Sequence, residues 1–257
     1  MRFATALLFS LITIQASDLQ AWRTTIEQAD RLHERGELRQ AAVLLESAVR
    51  QAREGAIPEA LALSNIRLAS VYVDLGEYRR AEPLYLEALR ALSDQPGEEL
   101  TRSIAHAGLA ATYSHLGEWS RAEKFAQAGL DSRTVAAGKE SRELTGPLVV
   151  LAGIYQAQRR DHEAEESLRR ALHLMEHETL AEEPARAVAL ANLALLLRSQ
   201  DRLDEAISSA NQAIQIWERR PPDPRKAQPL TILASLYGRQ GRWNFALNAI
   251  ERGAAHR

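Results

Sequence analysis

The run His173-Leu174-Met175-Glu176-His177 has the His-x-x-Glu-His form of an inverted zinc-peptidase motif, and on a helix it would set two imidazoles one turn apart. Metal-assisted hydrolysis there needs a third ligand from a distant element, and nothing in the sequence singles one out. The alternative is a pair of exposed histidines near a helix C-terminus, where a cation is mildly favoured. The surrounding RRALHLMEHE is expected to lie inside one helix. Other chemistries lack their parts. There is no Cys, which removes thiol nucleophiles, disulfides, iron-sulfur centres and thiolate zinc. The fragment AAGKE, residues 136–140, lacks the earlier glycine of a phosphate loop, and no Gly-x-Ser-x-Gly elbow occurs. The paired acids Glu98 and Glu99, Glu165 and Glu166, and Glu182 and Glu183 are adjacent, so on a helix they diverge instead of converging on a substrate. The expectation is a non-enzyme without cofactor or metal, with a hydrolase built on His173 and His177 as the alternative.

Composition points to the elements that carry these residues. The chain has 257 residues with 32 Lys plus Arg against 34 Asp plus Glu, a formal charge of -2 that offers no general attraction to nucleic acid or anionic lipid. It holds 44 Ala and 37 Leu but only 5% aromatic residues, which favours helices. Residues 1–21 read as a secretory signal: Arg2, an uncharged and mostly apolar run from Phe3 to Ile14, then small residues at Ala16, Ser17 and Ala21 where cleavage is expected. That run is too short to span a bilayer, which takes about 20 residues. The expected location is therefore periplasmic or extracellular. A short N-terminal helix retained by a cytoplasmic regulatory protein is the alternative.

The rest of the chain repeats itself. In residues 64–92, Leu68, Ala69, Tyr72 and Leu75 share one helical face, Gly76 breaks the pattern, and Tyr78, Ala81, Tyr85 and Ala88 mark a second helix. Residues 106–130 repeat this with Leu109, Ala110, Tyr113, Gly117, Trp119, Ala122 and Gly129. The Ala early in the second helix recurs at Ala41, Ala81, Ala122, Ala164, Ala206 and Ala246, at intervals of 40, 41, 42, 42 and 40. Seven residues on, Ala48, Ala88, Gly129, Ala171, Ala213 and Gly253 are also small, as close helix crossings require. Arg159 and Asp201 stand where other units have the turn glycine. Six hairpins follow, at about 22–55, 58–95, 98–137, 144–180, 184–220 and 226–257.

These motifs resemble the tetratricopeptide repeat, most closely the longer-repeat branch of kinesin light chains, over about nine tenths of the chain. The resemblance implies an all-α, right-handed superhelical solenoid of about six helix-turn-helix hairpins, acting as a scaffold that binds a protein or peptide on its concave surface. Its geometry assigns to that surface Asp30, Glu34, Ile66, Ser70, Asp74, Ala111, His115, Gly153, Asn192, Arg198 and Arg239. In chain order these run from acidic through small to basic. They suggest a peptide whose basic part lies over Asp30, Glu34 and Asp74 and whose acidic part lies over Arg198 and Arg239; a chance distribution of solvated charges is the alternative. The asparagine set with which kinesin light chains grip a peptide backbone is present only at Asn192. In the last unit Trp243, Phe245, Leu247 and Ile250 are expected to lack full cover, which adds self-association through the C-terminal repeat.

Overall fold

The structure, a computed structural model, describes residues 19–176, 183–220, 225 and 227–254. The proposed signal sequence up to residue 18 and His177 lie outside the described residues. Among the described residues there are twelve α-helices and no strand: α1 (19–34), α2 (Leu38–Glu54), α3 (Pro58–Asp74), α4 (Tyr78–Ala91), α5 (Glu99–His115), α6 (Trp119–Ala137), α7 (Thr145–Ala157), α8 (Asp161–His173), α9 (Glu183–Ser199), α10 (Leu203–Glu218), α11 (Ala227–Arg239) and α12 (Trp243–Ala254). None of them is long and apolar enough to cross a membrane. The chain divides into two compact units, one ending at Ala136 and one beginning at Ala137.

Each hairpin turns in the same way. The backbone N–H of the residue after the turn donates back five positions: Glu37 to Leu32, Glu77 to Tyr72, Glu118 to Tyr113, Arg160 to Tyr155, Arg202 to Leu197 and Arg242 to Tyr237, at 2.7 to 3.0 Å. This is the Schellman closure, which needs a left-handed residue just before the donor. Gly36, Gly76, Gly117 and Gly241 supply it with φ of 72° to 76°, and Arg159 (64°) and Asp201 (62°) adopt the same conformation at a steric cost.

Within the first unit, α3 packs on α2 and α4, and α5 packs on both α3 and α4. In the second unit α9 packs on α7, α8 and α10, and α11 on α9, α10 and α12. First helices therefore touch first helices, as expected for stacked hairpins. Ala41, Ala81, Ala122, Ala164 and Ala206 are fully buried and Ala246 nearly so, because a larger side chain at these crossings would hold the backbones apart.

The first unit also repeats a polar link. The Tyr72 hydroxyl donates to Glu46 at 2.6 Å while the Arg80 guanidinium lies 4.0 Å over the Tyr72 ring, joining α2, α3 and α4. Tyr113 donates to Glu82 at 2.7 Å under Arg121, joining α4, α5 and α6. Burial, reinforced by the neighbouring Glu46, pushes the Tyr72 hydroxyl up to about 12. The hydrogen bond from Tyr113, joined by one from Arg121, holds the Glu82 carboxyl below its ordinary value.

Candidate functional site

In the first unit the inward sides of α1, α3 and α5 enclose a groove of about 420 Å³. Ile66, Ile104, Ala107 and Gly108 form an apolar floor, and Tyr85 reaches in from α4. An ion pair and a histidine–carboxylate hydrogen bond stand on its wall. Arg67 donates to Asp30 at 3.0 Å, and His33 meets Asp74 at 2.6 Å. Both pairs bridge α1 and α3, and both are partly exposed, so each fixes geometry more than it stabilises. The Nε of Arg67 is buried with no hydrogen-bond partner. Burial pushes the Tyr85 hydroxyl up to about 12, Asp74 adding to the effect and a hydrogen bond with Ser70 opposing it. Tyr85 therefore stays a neutral donor and acceptor at the groove.

The structure brings Asp30, Ser70 and Asp74 together here, with Ile66 buried in the floor. Glu34 and His115 are exposed, and the His115 ring stacks on Tyr78 with centroids 4.6 Å apart. Ala111 is half-buried on α5. The expected bare acidic face is modified by Arg67 and His33, which stand directly beside two of its acids. In the second unit Arg198 donates to Ser235 at 2.9 Å, and Arg239 donates to the Arg198 carbonyl at 2.8 Å and pairs with Asp201 at 2.9 Å. Asn192 is half-buried on α9, and Gly153 is exposed on α7 with open space around it. Sequence reasoning missed His33, Arg67, Ile104 and Tyr85. Ile104 carried a signal, since an Ile three residues before Ala107 continues the same stripe of α5.

The histidine motif is not helical throughout, contrary to expectation. α8 ends at His173, where the chain tightens into successive three-residue turns and Glu176 folds back to the His173 ring, Nδ1 to Oε1 3.1 Å. Among the described residues no group of three or more His, Cys, Asp or Glu is placed to hold a metal ion.

Residues 59–134, 145–219 and 185–257 match the family model of the tetratricopeptide repeat, which together is well over half of the chain. The chain belongs to the tetratricopeptide repeat family. Among curated protein sequences, none matches it significantly. This tetratricopeptide repeat protein is similar in fold to BtubC (BKLC) from P. vanneervenii, with a TM-score of 0.72 and 24% identity over 91% of this chain and 90% of that one. It is also similar to a candidate kinesin light chain with nearly identical TPR-like repeats from Podosopora anserina (TM-score 0.65, 22% identity, 77% and 95% covered). A third likeness is to YrrB, described as a TPR protein with an unusual peptide-binding site (TM-score 0.51, 19% identity, 83% and 92% covered).

One position separates the two units of this tetratricopeptide repeat protein. Sixteen residues before each of the recurring alanines, the second unit has Leu148, Leu190 and Leu230, all buried. The first unit has Thr25, Asn65 and His106 there. Asn65 is fully buried and neither its Oδ1 nor its Nδ2 has a partner. Burial, with Arg102 adding to it, pushes the His106 imidazole below its ordinary value, against a backbone hydrogen bond at Ala128.

Proposed function

We propose that the protein is a binding scaffold without catalysis, which holds a peptide or protein segment in the groove of α1, α3 and α5. The observation that carries this is the combination of an apolar floor, Ile66, Ile104 and Ala107, with the fixed pairs Asp30–Arg67 and His33–Asp74 on the wall. Such a floor buries one or two apolar side chains, and polar groups of fixed orientation select the segment that carries them. Affinity capture from native extract, run in parallel with wild-type protein and an Ala107→Arg variant that fills the groove, tests it: a partner retained only by the wild type is expected. The hydrolase alternative predicts stoichiometric zinc in purified protein, which metal analysis would reveal.

The protein is exported to the periplasm or extracellular space in the same reading, with its leading residues removed. Cleavage after Ala16 leaves all of the described α1 in place, including Trp22, whose Nε1 donates to Ser64 at 2.8 Å. Cleavage after Ala21 would remove the carbonyls that accept from Thr24 and Thr25. N-terminal sequencing of the mature chain, expected to begin near Ser17, decides between export and a retained cytoplasmic form. The last hairpin is read as a second contact surface, through which the protein associates with itself.

A further inference from the structure

Among the described residues, the α11–α12 hairpin carries an exposed apolar face. Trp243, Leu247 and Ile250 are 71%, 57% and 56% exposed. With Ala254 they fall at spacings of four, seven and eleven along α12, one stripe of a helix. Beside this ridge lies a groove of about 750 Å³ between α11 and α12, floored by small residues that include Ala234, Gly238, Ala246 and Gly253. None of the residues lining it is ionisable. The second unit itself indicates what such a groove accepts: the faces of α7 with α8, and of α9 with α10, are each filled by a helix, α9 and α11 respectively.

From this surface, and resting on its reading as a contact site, we infer that the occupant is α12 of a second copy, in an antiparallel two-fold pair. The ridge is self-complementary about a point midway between Leu247 and Ile250. Reversing the helix about that point lays Leu247 of one copy on Ile250 of the other. It also lays the large Trp243 on the small Ala254, next to Gly253. A two-fold contact requires one patch to match itself, and here the large end of the stripe meets the small end of its copy while the groove takes the opposing ridge. None of Trp243, Leu247, Ile250 and Ala254 is charged, so the stripe itself buries no charge when it pairs. The face is short, since twelve residues of helix span only about 18 Å. A standard interface hides about 800 Å² per partner, so the dimer is weak and concentration-dependent.

Sedimentation of the wild-type chain across the micromolar range tests this. It is expected to show a reversible monomer-dimer equilibrium. Leu247→Asp alone and Ile250→Lys alone should each weaken dimerisation by at least about tenfold, because each buries an unpaired charge. Mixing the two variants should restore a dimer, since the introduced acid of one faces the introduced base of the other. Val43→Asp, at a 64% exposed apolar residue on α2, should leave association unchanged. Unaltered helical circular dichroism in the single variants separates lost pairing from lost folding. A wild type that stays monomeric, single variants that still dimerise, or a mixture that does not, each overturns the two-fold pair. Capture of a partner by the groove in the same preparations would persist in any of those cases, so failure here is distinct from failure of the scaffold reading.

Discussion

A β-carbon built on Gly108 of α5 would overlap Cζ and Cε1 of the Tyr85 ring of α4 and lie 2.6 Å from its hydroxyl oxygen. The absence of a side chain at Gly108 is what lets the Tyr85 ring lie against the α5 backbone and complete the groove between α3 and α5. Glycine inside a helix ordinarily costs about 1 kcal/mol relative to alanine, so Gly108→Ala would stabilise an unconstrained helix. Here Tyr85 is 4% exposed and has little room to move. The clash outweighs the propensity gain, and Gly108→Ala should destabilise by about 1 to 2 kcal/mol. In a Tyr85→Leu background the same change should become stabilising, by about 1 kcal/mol. Denaturant unfolding of the four proteins of this cycle checks both signs.

Arg159 and Asp201 hold the left-handed turn that glycine holds elsewhere. Arg159→Gly should raise stability by about 1 kcal/mol, by removing a β-carbon from a conformation that disfavours it. Asp201→Gly should gain less, because it also removes the exposed pair with Arg239, worth at most about 1 kcal/mol. Thermal unfolding of the two variants should rank them in that order.

The unpartnered amide of Asn65 makes its site a weakness of the first unit. Asn65→Leu, which copies the second unit, should raise stability by about 1 kcal/mol, since a buried polar group without a hydrogen bond costs that or more. The reverse change, Leu190→Asn, should cost about 3 kcal/mol, from lost apolar burial and a newly buried amide. Equilibrium unfolding in urea measures both.

His106 makes the first unit sensitive to acid. Its folded pKa lies below the ordinary 6.5, so below that pH the unfolded chain binds a proton that the folded chain resists. The stability it contributes is complete above about pH 6.5 and is lost as pH falls through the lower folded value. His106→Leu should remove this slope. Comparing wild type and variant unfolding between about pH 7.5 and about pH 5 isolates the His106 contribution from that of the carboxylates.

Much of the fold was legible because repetition makes each residue type its own control. The alanines that set the period are buried at helix crossings, and Arg159 and Asp201 take the turn conformation of the glycines they replace. The groove was less legible. Asp30 and Arg67 are 37 residues apart and His33 and Asp74 are 41 apart, so their pairing depends on how far side chains reach between neighbouring first helices. Tyr85 reads in sequence as one more packing residue of a second helix. That its ring enters the groove depends on Gly108, 23 residues further on in the next helix. The end of α8 was also hidden. His173, Leu174 and Met175 are each acceptable in a helix, and the early stop comes from the tight turns that follow.

The central claim, that the α1, α3 and α5 groove binds a peptide, is tested most directly by selecting peptides from a random display library on the purified protein and measuring their affinity for groove variants. Selected peptides should lose at least about tenfold in affinity with Ala107→Arg, and clearly less with Val43→Arg on α2. Peptides that bind the Ala107→Arg variant as tightly as wild type, or a library that yields no binder, would contradict the claim.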